Sequence, residues 1–291
     1  MTGDAPPRAT VTGDPQRSAP GSLSTLPSPV VTVAVPSFNQ GRFLEAALES
    51  IFAQDVAVEV FVADGGSTDE SLSVIRMFAS RLAGWRSHKD RGQGAAVNEC
   101  VARGGAPYVC WLNSDDVLLP GALRALAAVL DNDREAPAAY GRAWKSVEGR
   151  DDRTEVRVEP FDFIRLSRRC IVSQPATLIR RSAWDAVGGL DERLHFALDY
   201  DLWWRLYRHG GPLHYVDRFV AVDREHPATK SLNNSFAHFR ESVDVVRRHR
   251  GYEPAWTRFV PLPLRWRLAH ARRRMRTMLP PSSTSSDPDE R

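Results

Sequence analysis

The run VVTVAV at residues 30 to 35 is followed by VEVFVAD at 58 to 64, and between them Leu44, Leu48 and Ile51 recur at helical spacing with Ala47 and Phe52 on the same side. A β-branched run without polar alternation suits a strand buried on both faces, which occurs where helices cover a parallel sheet. Strand, helix, strand at this length is a βαβ unit, and the unit continues. Ser67 and Glu70 form an S-x-x-E capping box ahead of Leu72, Ile75 and Phe78, which predicts a second helix. Tyr108 to Leu112 reads as the next strand, and Leu123, Leu126, Ala127 and Leu130 mark the helix after it. Up to about residue 135 the pattern is an alternating α/β half with a parallel sheet.

Beyond that point the rhythm shortens. AAYGRAWKSV, EVRVEPF and QPATLIR (174 to 180) read as strands. A helix from about Ser182 to Val187 ends on Gly188 and Gly189, a C-cap signal. DYDLWWRLYRHG (199 to 210) and Phe236 to His249 read as further helices, and no internal repeat is present. Residues 1–29 are rich in Pro, Ser, Thr, Gly and Ala, cannot bury enough apolar surface to offset ordering, and are expected to be a disordered leader. The folded domain is expected over 30–250, with a basic segment at 251–279 and a disordered tail at 280–291.

Charge is local in this chain. Seven arginines and no acid lie between Pro254 and Leu279, more positive charge than the net +3 of the whole sequence, so the body is not basic and a nucleic-acid surface is not expected. Within 258–279, Leu264, Leu268, Ala271, Met275 and Met278 form a narrow helical stripe with Arg265, Arg272, Arg273 and Arg276 off it. Such a basic amphipathic helix either lies on an anionic membrane surface or packs its stripe on the body. No stretch reaches the ~20 apolar residues of a membrane span, and the first 29 residues lack a signal-peptide core. Three scattered cysteines make neither a disulfide framework nor a CxxC site. The expected location is the cytoplasm, with peripheral contact on the inner face of the plasma membrane as the role of the basic segment.

In open parallel α/β sheets ligands bind beyond the carboxyl ends of the strands. The strands here run into PSFNQGR, ADGGSTD and NSDD, three polar ends that would converge on one crevice. In WLNSDD two carboxylates stand side by side, and such neighbours repel unless a cation sits between them. A metal ion, a sugar or a solvated turn would each account for the pair. The GQG of KDRGQGAAVN is not a dinucleotide fingerprint, because it lacks the last glycine and follows the polar run RSHKDR rather than a strand. Asn98 reads as a packing or local hydrogen-bonding residue, and the DYD carboxylates are equally suited to favouring a helix start.

Taken in order, PSFNQGRFLEAALESIFAQ, VEVFVADGGSTDESL, KDRGQGAAVNEC, CWLNSDDVLLPGAL, QPATLIRRSAWDAVGGLDE and DYDLWWRL resemble glycosyltransferase family 2, the inverting nucleotide-sugar enzymes of the GT-A fold, over roughly residues 30 to 250. The resemblance implies an α/β, Rossmann-like GT-A domain with a mostly parallel central sheet, followed here by the helical basic segment. It implies a nucleotide-sugar site at Pro36, Phe38, Asn39, Asp64, Asp90, Gln93, Asn113 and Asp116, with Asp64 at the base or ribose. Where family members often carry a second Asp, this chain has Gly65. The family's DxD triplet is here Asn113, Ser114 and Asp115, which makes Asp115 the ligand of Mn²⁺ or Mg²⁺ and Asp116 its neighbour at ribose or sugar. His226, with Arg224 and Lys230 nearby, falls where many members place a histidine at the metal or diphosphate. Asp199 matches the catalytic base. Of Trp203 and Trp204, one is expected in the core and one in the acceptor wall.

The implied partners are a UDP-, GDP- or dTDP-sugar donor and a glycan or lipid-linked acceptor, in bacterial cell-surface polysaccharide or glycolipid synthesis. Two other readings compete. A sugar-1-phosphate nucleotidyltransferase shares the α/β half but calls for a glycine-rich GxG segment after the first strand, which PSFNQGR is not. A non-catalytic sugar or nucleotide binder would lack the base or the metal carboxylate.

Overall fold

A computed structural model describes residues 28–251. Its elements run β1 (Val31–Ser37), α1 (Gly41–Phe52), β2 (Val58–Asp64), α2 (Ser71–Phe78), β3 (Gly84–Ser87), α3 (Gln93–Arg103), β4 (Tyr108–Trp111), β5 (Val117–Leu118), α4 (Ala122–Asn132), β6 (Ala138–Val147), β7 (Arg153–Glu155), α5 (Phe163–Leu166), a 3₁₀ turn (Gln174–Ala176), β8 (Thr177–Arg180), α6 (Arg181–Val187), α7 (Leu198–Gly210), β9 (His214–Glu225), α8 (Lys230–Asn233) and α9 (Ser235–Arg250).

The strands form one sheet in the order β3-β2-β1-β4-β8-β6-β9-β5, with β7 against β6. From β3 to β4 every pairing is parallel. β8 then pairs antiparallel with both β4 and β6, and β6 returns to a parallel pairing with β9. All seven residues of β1 are buried, because alternate side chains serve two cores. Val31, Val33 and Val35 point toward the apolar stripes of α1, α2 and α4, whereas Ala34 faces α3, α6, α7 and α9. A strand sandwiched in this way must be apolar on both faces, which is why VVTVAV shows no alternation.

The structure revises several expectations. The capping box does not form, since α2 starts at Ser71 with no side-chain cap bond. Ser67 instead binds Asp64 and accepts from the N–H of Asn39, and Asp69 does the linking, accepting from Ser71 N (3.0 Å) and from Gly41 N at the start of α1 (2.9 Å). That close approach requires glycine at 41, where a Cβ would stand 2.5 Å from Ser71 N. The KDRGQG segment does follow a strand, the edge strand β3, whose four residues are only half-buried. EVRVEPF contributes little more than the end of the exposed strand β7. Trp203 and Trp204 are both buried, so neither forms an open wall. The segments 1–29, 251–279 and 280–291 lie outside the described residues except for residues 28, 29 and 251. Among the described residues no helix is long and apolar enough to cross a membrane.

Candidate active site

The register of the parallel strands lines up their carboxyl ends. Ser37 lies opposite Asp64, Asp64 opposite Ser87, and Ala34 opposite Trp111. Leu112 N donates to Ala34 O on the β4 side of β1, whereas Gly65 N donates to Ser37 O on the β2 side. Pro36 therefore turns its missing N–H toward β4, the β1–β4 ladder stops there, and the two strands part. This point, where the strand order reverses, is where an α/β sheet opens its ligand crevice.

At the mouth of that crevice the NSDD carboxylates diverge. Asp115 Oδ2 accepts from Gln40 Nε2 (3.1 Å) and lies 3.2 Å from His226 Nε2. Asp116 turns inward, where Oδ1 accepts from Arg224 N (3.0 Å) and Oδ2 from Asn113 Nδ2 (3.3 Å). Burial first, then the charges of Asp115 and Asp223, push the Asp116 carboxyl well above the usual range. Asn113 explains its own departure from an acid. Its Oδ1 accepts from Trp111 Nε1 (2.8 Å) and Gln93 Nε2 (2.7 Å), and its Nδ2 donates to Gln174 Oε1 (2.9 Å) as well as to Asp116. All four of its hydrogen-bonding positions are used, and a carboxylate would lose both donated bonds while adding a third negative charge.

His226 is delivered by β9, whose pairing with β5 sets Val222 against Val117, one residue beyond Asp116. It is buried rather than solvated, and Phe43 holds it, with ring centroids 4.4 Å apart. Its Nδ1 is buried without a partner. Arg224 binds the carbonyls of Asp115 and Phe43, which ties the β9 end to the loop after β4 and to the first turn of α1. Lys230 lies elsewhere, 5.3 Å over the Phe196 ring. Among the described residues no group of three or more His, Cys, Asp or Glu side chains is arranged to hold a metal ion. One carboxylate and one imidazole fit a divalent cation that takes its remaining ligands from phosphate oxygens and water.

The other side of the crevice is a braced loop. Asp64 is fully buried and accepts from Gly66 N (3.1 Å), Ser67 N (3.0 Å) and Ser87 Oγ (2.6 Å), and also from Ser67 Oγ. Asn39 is the one non-glycine residue with positive φ (52°) among the described residues, and its Oδ1 accepts from Thr68 N (2.9 Å). A strained residue of this kind marks a site whose surroundings over-determine it. Phe38 beside it is 61% exposed, a large apolar side chain presented to solvent. Gly65 packs under it, since a Cβ there would stand 3.2 Å from Phe38 Cδ2. Asp90 is held by Arg86 (3.0 Å) and accepts from Gly92 N (2.8 Å) just before α3.

Asp199 lies in the first turn of α7, half-buried. Burial raises its carboxyl above the ordinary value against the opposing charge of His238, with Glu241 adding to the rise. α7 reaches the crevice through α3, where a Cβ at Gly94 would stand 3.1 Å from Leu198 Cδ2, and the adjacent Gln93 binds Asn113. Asp201, in contrast, is buried and bound to Arg205 (2.7 Å), Arg248 (3.2 Å) and His249 (2.9 Å). Asn98 binds Leu190 O (3.0 Å) and Glu192 (3.1 Å), a packing role. Sequence reasoning passed over Gln40 and Gln174, although both stand in motifs it singled out, PSFNQGR and QPATLIR.

Residues 32–187 match the model of the family described as Glycosyl transferase family 2. The succinoglycan biosynthesis protein ExoU of Rhizobium meliloti is 30% identical over 75% of this chain and 66% of its own. Staphylococcus aureus TarS 1-349, solved in complex with UDP, superposes with a TM-score of 0.58 at 18% identity over 75% of this chain and 64% of that one. The mannosyltransferase PcManGT of Pyrobaculum calidifontis, solved with GDP-Man and Mn²⁺, gives 0.59 at 22% identity over 78% and 66%. The chain thus spans just under two-thirds of the length of each of these three relatives.

Proposed function

Because the chain belongs to glycosyl transferase family 2 and is a glycosyltransferase, we propose that it transfers a sugar, with inversion, from a nucleoside-diphosphate donor to an acceptor hydroxyl. The observation that carries this reading is the meeting of Asp115 and His226, 3.2 Å apart, at the mouth of the β1–β4 crevice. Family membership also separates this reading from a nucleotidyltransferase or an idle binder.

In the proposed site Asp115 and His226 hold a divalent cation, which when bound supplies charge neutralisation to the leaving diphosphate. A mixed carboxylate and imidazole set suits Mn²⁺ better than Mg²⁺. Phe38 and Asn39 line the nucleotide side, the buried Asp64 shapes the loop behind them, and Asp90, Gln93, Asn113 and Asp116 brace the floor. Asp199 accepts the proton of the acceptor hydroxyl as that oxygen attacks the anomeric carbon, and its raised pKa brings it nearer the working pH than a solvated carboxylate. UDP, GDP and dTDP remain the donor classes, and the UDP and GDP-Man complexes of the fold relatives favour the first two. The match to a succinoglycan biosynthesis protein favours a glycan or lipid-linked acceptor in bacterial polysaccharide synthesis. The arginine-rich stretch in 258–279 supports peripheral contact with an anionic membrane on the cytoplasmic side.

The test is release of nucleoside diphosphate from UDP-GlcNAc and GDP-mannose, with Mn²⁺ and with chelator. Mn²⁺-dependent release from one of them is expected. Equal release in chelator would remove the metal from the reading.

A further inference from the structure

Any helix start leaves N–H groups without intrahelical acceptors. The residue preceding α7 is Ala197, which has no side-chain acceptor to offer. What fixes this helix start is a tie from α9 to the chain just before it. Glu241 Oε1 takes the N–H of His195 (2.7 Å), and its Oε2 takes those of Phe196 (2.5 Å) and Ala197 (2.6 Å). One carboxylate thus holds by charge-assisted bonds the three successive backbone donors that lead into α7, the last of them at the residue just before the helix. A local Ser or Asp at position 197 would instead bind the helix's own first N–H groups. It would not fix the helix relative to a second element, and Glu241 does. A second tether between the same helices lies at Asp201, which binds Arg248 and His249 near the end of α9.

Asp199 stands between these two tethers, two residues beyond the held backbone. We propose that Glu241 is a positioning residue for glycosyl transfer, which sets the first turn of α7 and so aims the Asp199 carboxylate at the acceptor hydroxyl. The proposal rests on the reading of Asp199 as the base. A base displaced by about 1 Å loses on the order of 10²-fold in rate, so the hold on residues 195 to 197 bears directly on turnover.

The test compares the full-length parent with Glu241→Gln, Asp199→Asn and the double variant. Turnover is read as nucleoside diphosphate release from UDP-GlcNAc or GDP-mannose with Mn²⁺, and UDP and GDP affinities are measured alongside. Glu241→Gln keeps the shape but places an amide N–H against backbone donors. It should lower kcat by roughly 10- to 10²-fold with donor KM and nucleotide affinity unchanged, and Glu241→Asp should recover part of the loss. In the Asp199→Asn background the same change should cost nothing more, as for residues acting through one group. Amide hydrogen exchange at residues 195 to 197 should be faster in Glu241→Gln while the interior of α7 stays protected. Parental turnover in Glu241→Gln, losses that add in the double variant, or unchanged exchange at 195 to 197 would each overturn the positioning role. Parental turnover in Asp199→Asn would instead remove the base reading on which it rests.

Discussion

Replacing Asp201 by Asn should destabilise the protein far more than a charge at a helix start would. The Asp201 side chain is 1% exposed, its Oδ2 accepts from Arg205 (2.7 Å), and its Oδ1 accepts from both His249 (2.9 Å) and Arg248 (3.2 Å). Asn keeps the volume, but whichever way its amide turns it sets an N–H against a cationic donor. Breaking a buried pair costs about 3–5 kcal/mol, and because Arg248 is nearly half exposed, solvent recovers part of that, leaving ~2–3 kcal/mol. In a domain of this size that corresponds to roughly 4–12 °C in Tm. Burial alone would raise the Asp201 carboxyl, but the His249 hydrogen bond and the Arg205 charge outweigh it and hold it below its ordinary value. A depressed folded-state pKa contributes stability that is present above the unfolded value of about 3.9 and is lost as pH falls through the folded one. Urea unfolding of parent and variant should therefore show the full gap at pH 7 and a closing gap below about pH 4. A gap under about 1 kcal/mol at pH 7, or one that widens on acidification, would refute the clamp.

Three further outcomes follow from the site. Asp199→Asn should cut turnover by ~10²–10⁴ with nucleotide affinity retained, and the parent's kcat should fall on acidification at a pH above the ordinary carboxylate value, because burial raises this base; both are read from pH–rate profiles. Phe43→Ala removes the ring packed on His226 and should weaken Mn²⁺ binding in the presence of UDP by about 10-fold or more, measured by calorimetric titration. Gly41→Ala forces a Cβ to 2.5 Å from Ser71 N and should cost on the order of 1–3 kcal/mol or more in urea unfolding.

The parallel half of the fold was legible because its strands are buried on both faces, so VVTVAV and VEVFVAD read as strands without any partner. β3 was not, since GWRS is a half-buried edge with no periodicity to read. β9 escaped because its twelve residues pass from exposed to buried and mix charges with apolar side chains. The strand-end motifs marked the crevice, but what each side chain does there depends on contacts across long stretches of sequence. Asp115 and His226 are 111 residues apart, and the β5–β9 pairing brings them together. Asp201 resembled an ordinary helix-start charge for the same reason, because its partners Arg248 and His249 lie on α9. The capping-box pattern at Ser67 misled because Asp64, three residues earlier, offers Ser67 a buried acceptor.

The most direct test of the proposed site is nucleotide affinity in parent and Asp115→Ala, with UDP and GDP, in Mn²⁺ and in chelator. In the parent, Mn²⁺ should tighten one nucleotide, and at 100 times its Kd that ligand should stabilise the fold by about 2.7 kcal/mol. In Asp115→Ala the Mn²⁺-dependent part should vanish while the fold and any metal-free affinity persist. If Asp115→Ala binds as tightly with Mn²⁺ as the parent, the cation is held elsewhere and the assignment of Asp115 and His226 fails.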